Sequence, residues 1–189
     1  MNLIDQVIRF AANAHDGQYR EGTSIPYITH PFAVGMLLQQ ANCSIEVIAA
    51  GILHDTIEDT YVTYTDLQQA FGQKIANLVQ AASEQDKSLP WEQRKKHTIQ
   101  QLRNASLEEV QVIVADILHN MKSIHEDLQQ HGEIVWQRFN RGKQAQHWYY
   151  TTIHKAIAND QSDFPLIREL ENEELHVFGS LDFDETTKI

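Results

Sequence analysis

The chain has a single cysteine, Cys43, and no apolar run that approaches the length of a bilayer span. One thiol cannot close an intramolecular disulfide, and such scarcity suits a reducing compartment, so a cytoplasmic protein is expected. A membrane-crossing helix needs about 20 apolar residues, and none is expected here. Basic residues are also few. Lys and Arg number 15 against 26 Asp and Glu, a net charge of −11. A broad surface for a nucleic-acid polymer or an anionic membrane needs clustered cations, which this balance argues against. A small phosphorylated ligand stays compatible, because a metal and a few local basic groups suffice to hold it. Four prolines and eight glycines in 189 residues make no flexible linker. Repeats and low-complexity tracts are missing, so one domain with a sizeable core is expected. The N-terminus, MNLIDQVIRF, has an early acid and no cationic leader, so no signal peptide is expected.

Alternating strand patterns are equally lacking, and helical periodicity takes their place. Leu3, Val7, Ala11 and Ala14 mark one face of a first helix, with Ile4 and Ile8 beside them. Pro31 suits the first turn of a second helix running through Leu38. The third is SIEVIAAGILHD. Thr65 and Gln68 form a capping-box pattern before a helix that Gly72 stops, and QKIANLVQAA continues as helix. Pro90 opens a basic helix, PWEQRKKHTIQQL. Ser106 and Glu109 make a second capping-box pattern, ahead of the clearest helix, where Val110, Ile113, Val114, Ile117, Leu118 and Met121 recur every three or four positions. The pattern predicts an all-α fold. The acidic stretch from residue 161 to 189 reads as a peripheral appendage or frayed tail on a domain of residues 1–160.

Ten histidines are present, and the most informative lies in HDTIED, residues 54–59, directly behind the apolar run IEVIAAGIL. His54 and Glu58 are four apart, as are Asp55 and Asp59, so adjacent ridges of one helix would each present two polar groups. Buried, such groups need a shared partner, and a divalent cation supplies one. Imidazole with carboxylate suits Mn, Fe or Zn better than Mg. A solvated helix end with salt-bridged acids is the competing reading. Asp116 lies on the flank of the apolar stripe in VIVADILHNMKSI, with Asn120 one turn on. A carboxylate there is expensive unless it is a ligand or is paired. His30 stands just before Pro31; alone it reads as a helix-entry histidine.

AHDGQYREGTSIPYITHP, AGILHDTIEDT and VADILHN, in this order, resemble the HD superfamily of metal-dependent phosphohydrolases. Within it the resemblance is to the (p)ppGpp hydrolase domain of Rel/Spo-type proteins and their small single-domain relatives, over roughly residues 1 to 155. It implies an HD-domain helical bundle with one metal site. His30, His54, Asp55 and Asp116 would be the ligands, with Mn2+ the usual ion and Fe2+ or Zn2+ as alternatives. Glu58 and Asp59 match the acidic pair that assists hydrolysis, Asn120 the polar residue closing the site, and Arg20 the loop arginine against the nucleotide. His119 belongs to the motif as a supporting histidine rather than a ligand.

A cation so held activates water and polarises a phosphoryl oxygen. Glu58 and Asp59 would divide the proton transfers, one serving the attacking water and the other the leaving oxygen. Arg94 and Lys95 on the basic helix are candidates to offset phosphate charge; a solvated helix face is the other reading. Tyr27 is expected to pack the loop over the site. The aromatic run Trp148, Tyr149 and Tyr150 is expected to close the core or a homo-oligomer contact. Two positions depart from the family pattern: Glu21 stands where a second basic residue usually follows the arginine, and Ile117 where ADxxHN commonly has one. The expected activity is therefore a phosphohydrolase acting on a nucleotide, most specifically 3′-pyrophosphate release from guanosine-3′,5′-bis(diphosphate). A different phosphate ester, or nucleotide sensing without turnover, remains open.

Overall fold

A computed structural model of the chain describes residues 2–84, 88–157 and 163–180. Helix α1, Leu3–Ala14, starts where the Asn2 side chain accepts from the Asp5 N–H at 2.8 Å, and it buries Val7, Ala11 and Ala14. A loop follows, pinched by an isolated bridge between Tyr19 and Pro26. Among the described residues no strand forms. Helices α2, Thr29–Gln40, and α3, Ile45–Leu53, come next, the second capped by Ser44. A single turn, α4, spans Thr56–Asp59, and α5 spans Tyr64–Phe71.

The capping box of α5 lies two residues earlier than the sequence suggests. Thr63, in extended backbone, takes the Asp66 N–H, and Asp66 returns its carboxylate to the Thr63 N–H at 2.9 Å. Asp66 accepts a backbone proton better than Gln68 could, and it stands at the third helical position where that reach works. Gly72 stops the helix at φ 88°, outside the range comfortable for other residues. Helix α6, Gln73–Ala82, follows at once. Helix α7 is Trp91–Leu102, behind Pro90.

Helix α8, Leu107–His131, begins in the expected Ser106–Glu109 capping box and buries the whole expected stripe from Val110 to Met121. A 3-10 segment, Gly132–Arg138, leads to α9, Gly142–Ile157. The last helix, α10, is Pro165–Phe178. It buries Leu166, Ile167, Leu170 and Val177 against α8 and α9, so this segment is neither peripheral nor frayed. Its apolar spacing is helical, but four acids among fourteen residues obscure it. The expected boundary at 160/161 and residues 181–189 lie outside the described residues. Tyr149 and Tyr150 are buried within the chain, beside Trp91 and Trp148, so the aromatic run closes the core.

Helix α3 sits at the centre, packed on α1, α2, α6 and α8. Its approach to α2 depends on two glycines. A Cβ on Gly35 would stand 2.4 Å from Ile52 Cγ1, and one on Gly51 would stand 2.3 Å from Leu38 Cδ1. That close crossing brings the start of α2 and the end of α3 together, and with them His30 and His54.

Candidate functional site

Helix α3 breaks at the motif. The Thr56 hydroxyl donates to the Leu53 carbonyl at 2.7 Å, and the chain turns at His54 and Asp55 before restarting as α4. His54 and Glu58 therefore do not share one continuous helix, as their spacing suggests. The break lets His54 and Asp55 face the same point from successive positions. The His54 Nδ1–H donates to the Gly51 carbonyl at 2.8 Å, which leaves Nε2 as the free lone pair.

His30, on the first turn of α2, places its Nε2 3.2 Å from that of His54. Asp116, from the middle of α8, brings Oδ1 to 3.1 Å from His30 Nε2 and 3.5 Å from His54 Nε2. Asp55 Oδ2 is 3.1 Å from His54 Nε2 and 3.6 Å from His30 Nε2. The donors of His30, His54 and Asp116 all lie within 4.8 Å of one another, and Asp55 joins them through both imidazoles. Donors each about 2.1 Å from one ion lie roughly 3.0–3.4 Å apart. The spacing of His30, His54 and Asp116 suits a divalent cation, and Asp55 lies against both imidazoles beside them.

Electrostatics point the same way. Burial alone would lower the His54 pKa, but Asp55 and Asp116 outweigh it and hold the imidazole well above its usual value. Burial would raise both carboxylates, yet His54 holds Asp55 below its ordinary range, and His30 and His54 do the same for Asp116. The two carboxylates thus favour positive charge beside them, which protons or a cation can supply. His119 backs the cluster: its Nδ1 is 2.7 Å from His30 Nδ1. Burial, then the neighbouring His30 and Arg20, pull the His119 pKa down to about 4. It is a neutral ring that can accept the His30 Nδ1–H, as expected of a supporting histidine.

A cavity of about 260 Å3 opens over these atoms. Glu58, Asp59, Arg94, Lys95 and Asn120 all line it. Glu58 Oε2 accepts from the Glu84 N–H at 3.0 Å. Asn120 donates to Asp116 Oδ1 at 2.7 Å and accepts from Arg20 Nη2 at 3.0 Å. Arg20 itself does not line this cavity. It borders a neighbouring one of about 430 Å3 with Glu21, the two cavities sharing Tyr27 and Asn120. Ile117 is buried in the wall of the first.

Sequence reasoning missed three groups. The Tyr27 hydroxyl donates to Asp55 Oδ2 at 2.7 Å and approaches Asp59 Oδ2 at 3.3 Å, well beyond merely packing the loop. Glu84 pairs with Arg94 and, at 2.5 Å, with Lys95, so these two cations of α7 face a carboxylate inside the cavity while Lys96 lies on the exposed side of the helix. Nothing in the spacing around a lone loop glutamate marks it. Tyr149 lines the same cavity, its ring 4.5 Å from Lys95 Nζ.

The family model of the HD domain matches residues 8–144. The chain belongs to the HD-domain family. Its HD motif is His54–Asp55, where α3 breaks. Among curated relatives, this HD protein is 34% identical over 126 residues to the Danio rerio guanosine-3′,5′-bis(diphosphate) 3′-pyrophosphohydrolase MESH1, covering 65% of this chain and 69% of that one. It is 38% identical over 127 residues to the bifunctional (p)ppGpp synthase/hydrolase SpoT of Escherichia coli K12. The match covers 64% of this chain and spans only 18% of SpoT. Among solved structures, lmo0812 from Listeria monocytogenes superposes with a TM-score of 0.75 at 38% identity, over 80% of this chain and 99% of that one. A metazoan SpoT ortholog superposes equally well, TM-score 0.75, over 89% and 92% of the two chains; at 24% identity it shows the fold alone. Among the described residues of this HD protein, no helix is long and apolar enough to cross a membrane.

Proposed function

We propose that this protein is a divalent-cation-dependent phosphohydrolase acting on a nucleotide, most specifically a guanosine-3′,5′-bis(diphosphate) 3′-pyrophosphohydrolase using Mn2+ in the cytoplasm. The observation that carries this reading is the meeting of His30, His54 and Asp116, with Asp55 against both imidazoles, under a cavity lined by both acids and cations. The names of MESH1 and SpoT support the substrate class. Residues 1–160 would form the hydrolase unit, with α10 packed against it through α8 and α9.

A cation bound there supplies Lewis-acid stabilisation of phosphoryl charge and an activated nucleophile. Glu58 is oriented by the Glu84 N–H and Asp59 by Tyr27. One carboxylate takes the proton as water oxygen bonds to phosphorus; the other acts as the acid that returns a proton to the leaving ribose oxygen as its bond to phosphorus breaks. Arg94 and Lys95 offset phosphate charge, and Tyr149 keeps Lys95 in place by a cation–π contact. Arg20 holds Asn120, which holds Asp116, so the loop arginine is tied to the centre and also faces the adjoining cavity, where it would pair with or stack on the nucleotide.

A different phosphate ester is the second reading, favoured by one feature. Glu84 already occupies Arg94 and Lys95, and the family's extra basic positions are Glu21 and Ile117 here. Fewer unpaired cations face a polyphosphate. Incubating the Mn2+-loaded protein with guanosine tetraphosphate and with nucleoside monophosphates separates the readings. Pyrophosphate with guanosine diphosphate as products supports the first, dominant phosphate release from monophosphates the second. No turnover of any nucleotide, with binding retained, would instead make the domain a sensor.

A further inference from the structure

A second cluster of ligating side chains lies between α8 and α10, and none of its members lines the cavity. Lys122 meets Glu169 at 3.0 Å across this seam. Farther along α8 and α10, His125 Nδ1 lies 2.7 Å from Glu173 Oε2. His176, one helical turn beyond Glu173, has its Nδ1 3.9 Å from the same oxygen. The two imidazoles stack with centroids 4.9 Å apart and planes 27° apart. One ligand atom from each of the three side chains falls within 4.8 Å of the others.

We propose that His125, Glu173 and His176 form a second divalent-cation site, of the zinc class, which clasps α10 to α8. Two imidazoles and one carboxylate select Zn2+ and its transition-metal neighbours over Mg2+ or Ca2+. One carboxylate cannot bond well to both rings, as the 2.7 and 3.9 Å separations show, whereas a shared ion gives all three side chains a partner. Glu169, Glu171, Glu173 and Glu174 against Arg168 give α10 an acidic field that draws cations. His176 is 58% exposed, so the site is open to solvent, and water can complete the coordination. The supporting contact also exists. Gln129 Nε2 is 3.0 Å from His125 Nε2. Turning that amide presents Oε1 to the Nε2–H of a ring that ligates through Nδ1. The ion would join a helix of the motif-bearing core to the C-terminal segment, so occupancy stabilises the packed form of α10.

The test is zinc uptake by the full chain, stripped with a chelator and dialysed against excess Zn2+, with thermal melting read in parallel. Wild type should bind roughly one zinc more per chain than His176→Ala or Glu173→Gln, and should show a larger Zn2+-dependent rise in Tm than either variant. Because His176 is exposed, its alanine variant keeps the fold, and its Mn2+-supported hydrolysis should match wild type. The comparison is between wild type and variant, so it holds whatever the His30–His54 centre binds. Equal zinc content and equal Tm shifts in wild type and His176→Ala would overturn the second site.

Discussion

The Nδ1 atoms of His30 and His119 lie 2.7 Å apart, so one ring gives the other a proton. His119, with its pKa near 4, is the neutral acceptor, so His30 donates through Nδ1 and its Nε2 is the atom turned toward Asp116. Replacing His119 with Ala removes the acceptor without touching a ligand. Metal affinity should weaken by about 10–100-fold, as is usual when such a supporting contact is lost. Titration of the stripped protein with Mn2+ measures it. His119→Asn, whose carbonyl can still accept, should recover part of the loss.

Tyr27 donates to Asp55 and leans on Asp59. Burial, then the charge of Asp55, push its phenol above the usual range, so it remains a neutral donor at any working pH. Tyr27→Phe keeps the ring and deletes the donor. Loss of one hydrogen bond to a charged group costs about 1.5–3 kcal/mol. The expected result is a fall in kcat of roughly 10–100-fold, together with a drop in Tm from the lost hydrogen bond. Steady-state kinetics and a melting curve on the same sample check both halves.

Gly51 sits where α3 crosses α2, and an added Cβ would meet Leu38 at 2.3 Å. Leu38 is fully buried and has nowhere to go. Gly51→Ala should lower stability by about 1–3 kcal/mol through overpacking. Prising α2 from α3 also separates His30 from His54, so metal affinity should fall together with Tm. An exposed control such as Gln40→Ala should change neither.

His154 on α9 lies 3.2 Å from Glu174, which is fully buried on α10, and 3.1 Å from Glu171. The Glu174 contact is an ion pair rather than a well-aligned hydrogen bond. Glu174 first, then Glu171, hold the imidazole pKa above its ordinary 6.5. A raised histidine stabilises the fold fully below its unfolded pKa, and that contribution is lost as pH rises through the folded value. Wild type should therefore lose Tm on the alkaline side of about pH 6.5, while His154→Gln shows a flatter profile over that window. Differential scanning calorimetry across pH 5.5–9 distinguishes the two curves.

Much of the site was legible because its chemistry sits on polar intrusions into apolar periodicity. Asp116 interrupts the α8 stripe, and His54 with Asp55 ends the apolar run of α3; each is costly in a core without a partner. Their convergence could not be read from spacing. It depends on the α3 break at His54 and on the Gly35 and Gly51 contacts, which act between segments distant in sequence. Glu84 escaped notice because an isolated loop acid carries no periodic signal. Helix α10 was hidden by its own acids, since composition outweighed the spacing of Leu166, Ile167, Leu170 and Val177.

Anomalous diffraction from crystals grown with Mn2+ tests the central claim most directly. A peak is predicted between His30 Nε2, His54 Nε2 and the carboxylates of Asp55 and Asp116, and it should vanish in Asp116→Ala. Manganese bound only elsewhere, or those four side chains ordered around water alone in excess manganese, would contradict a metal-centred hydrolase.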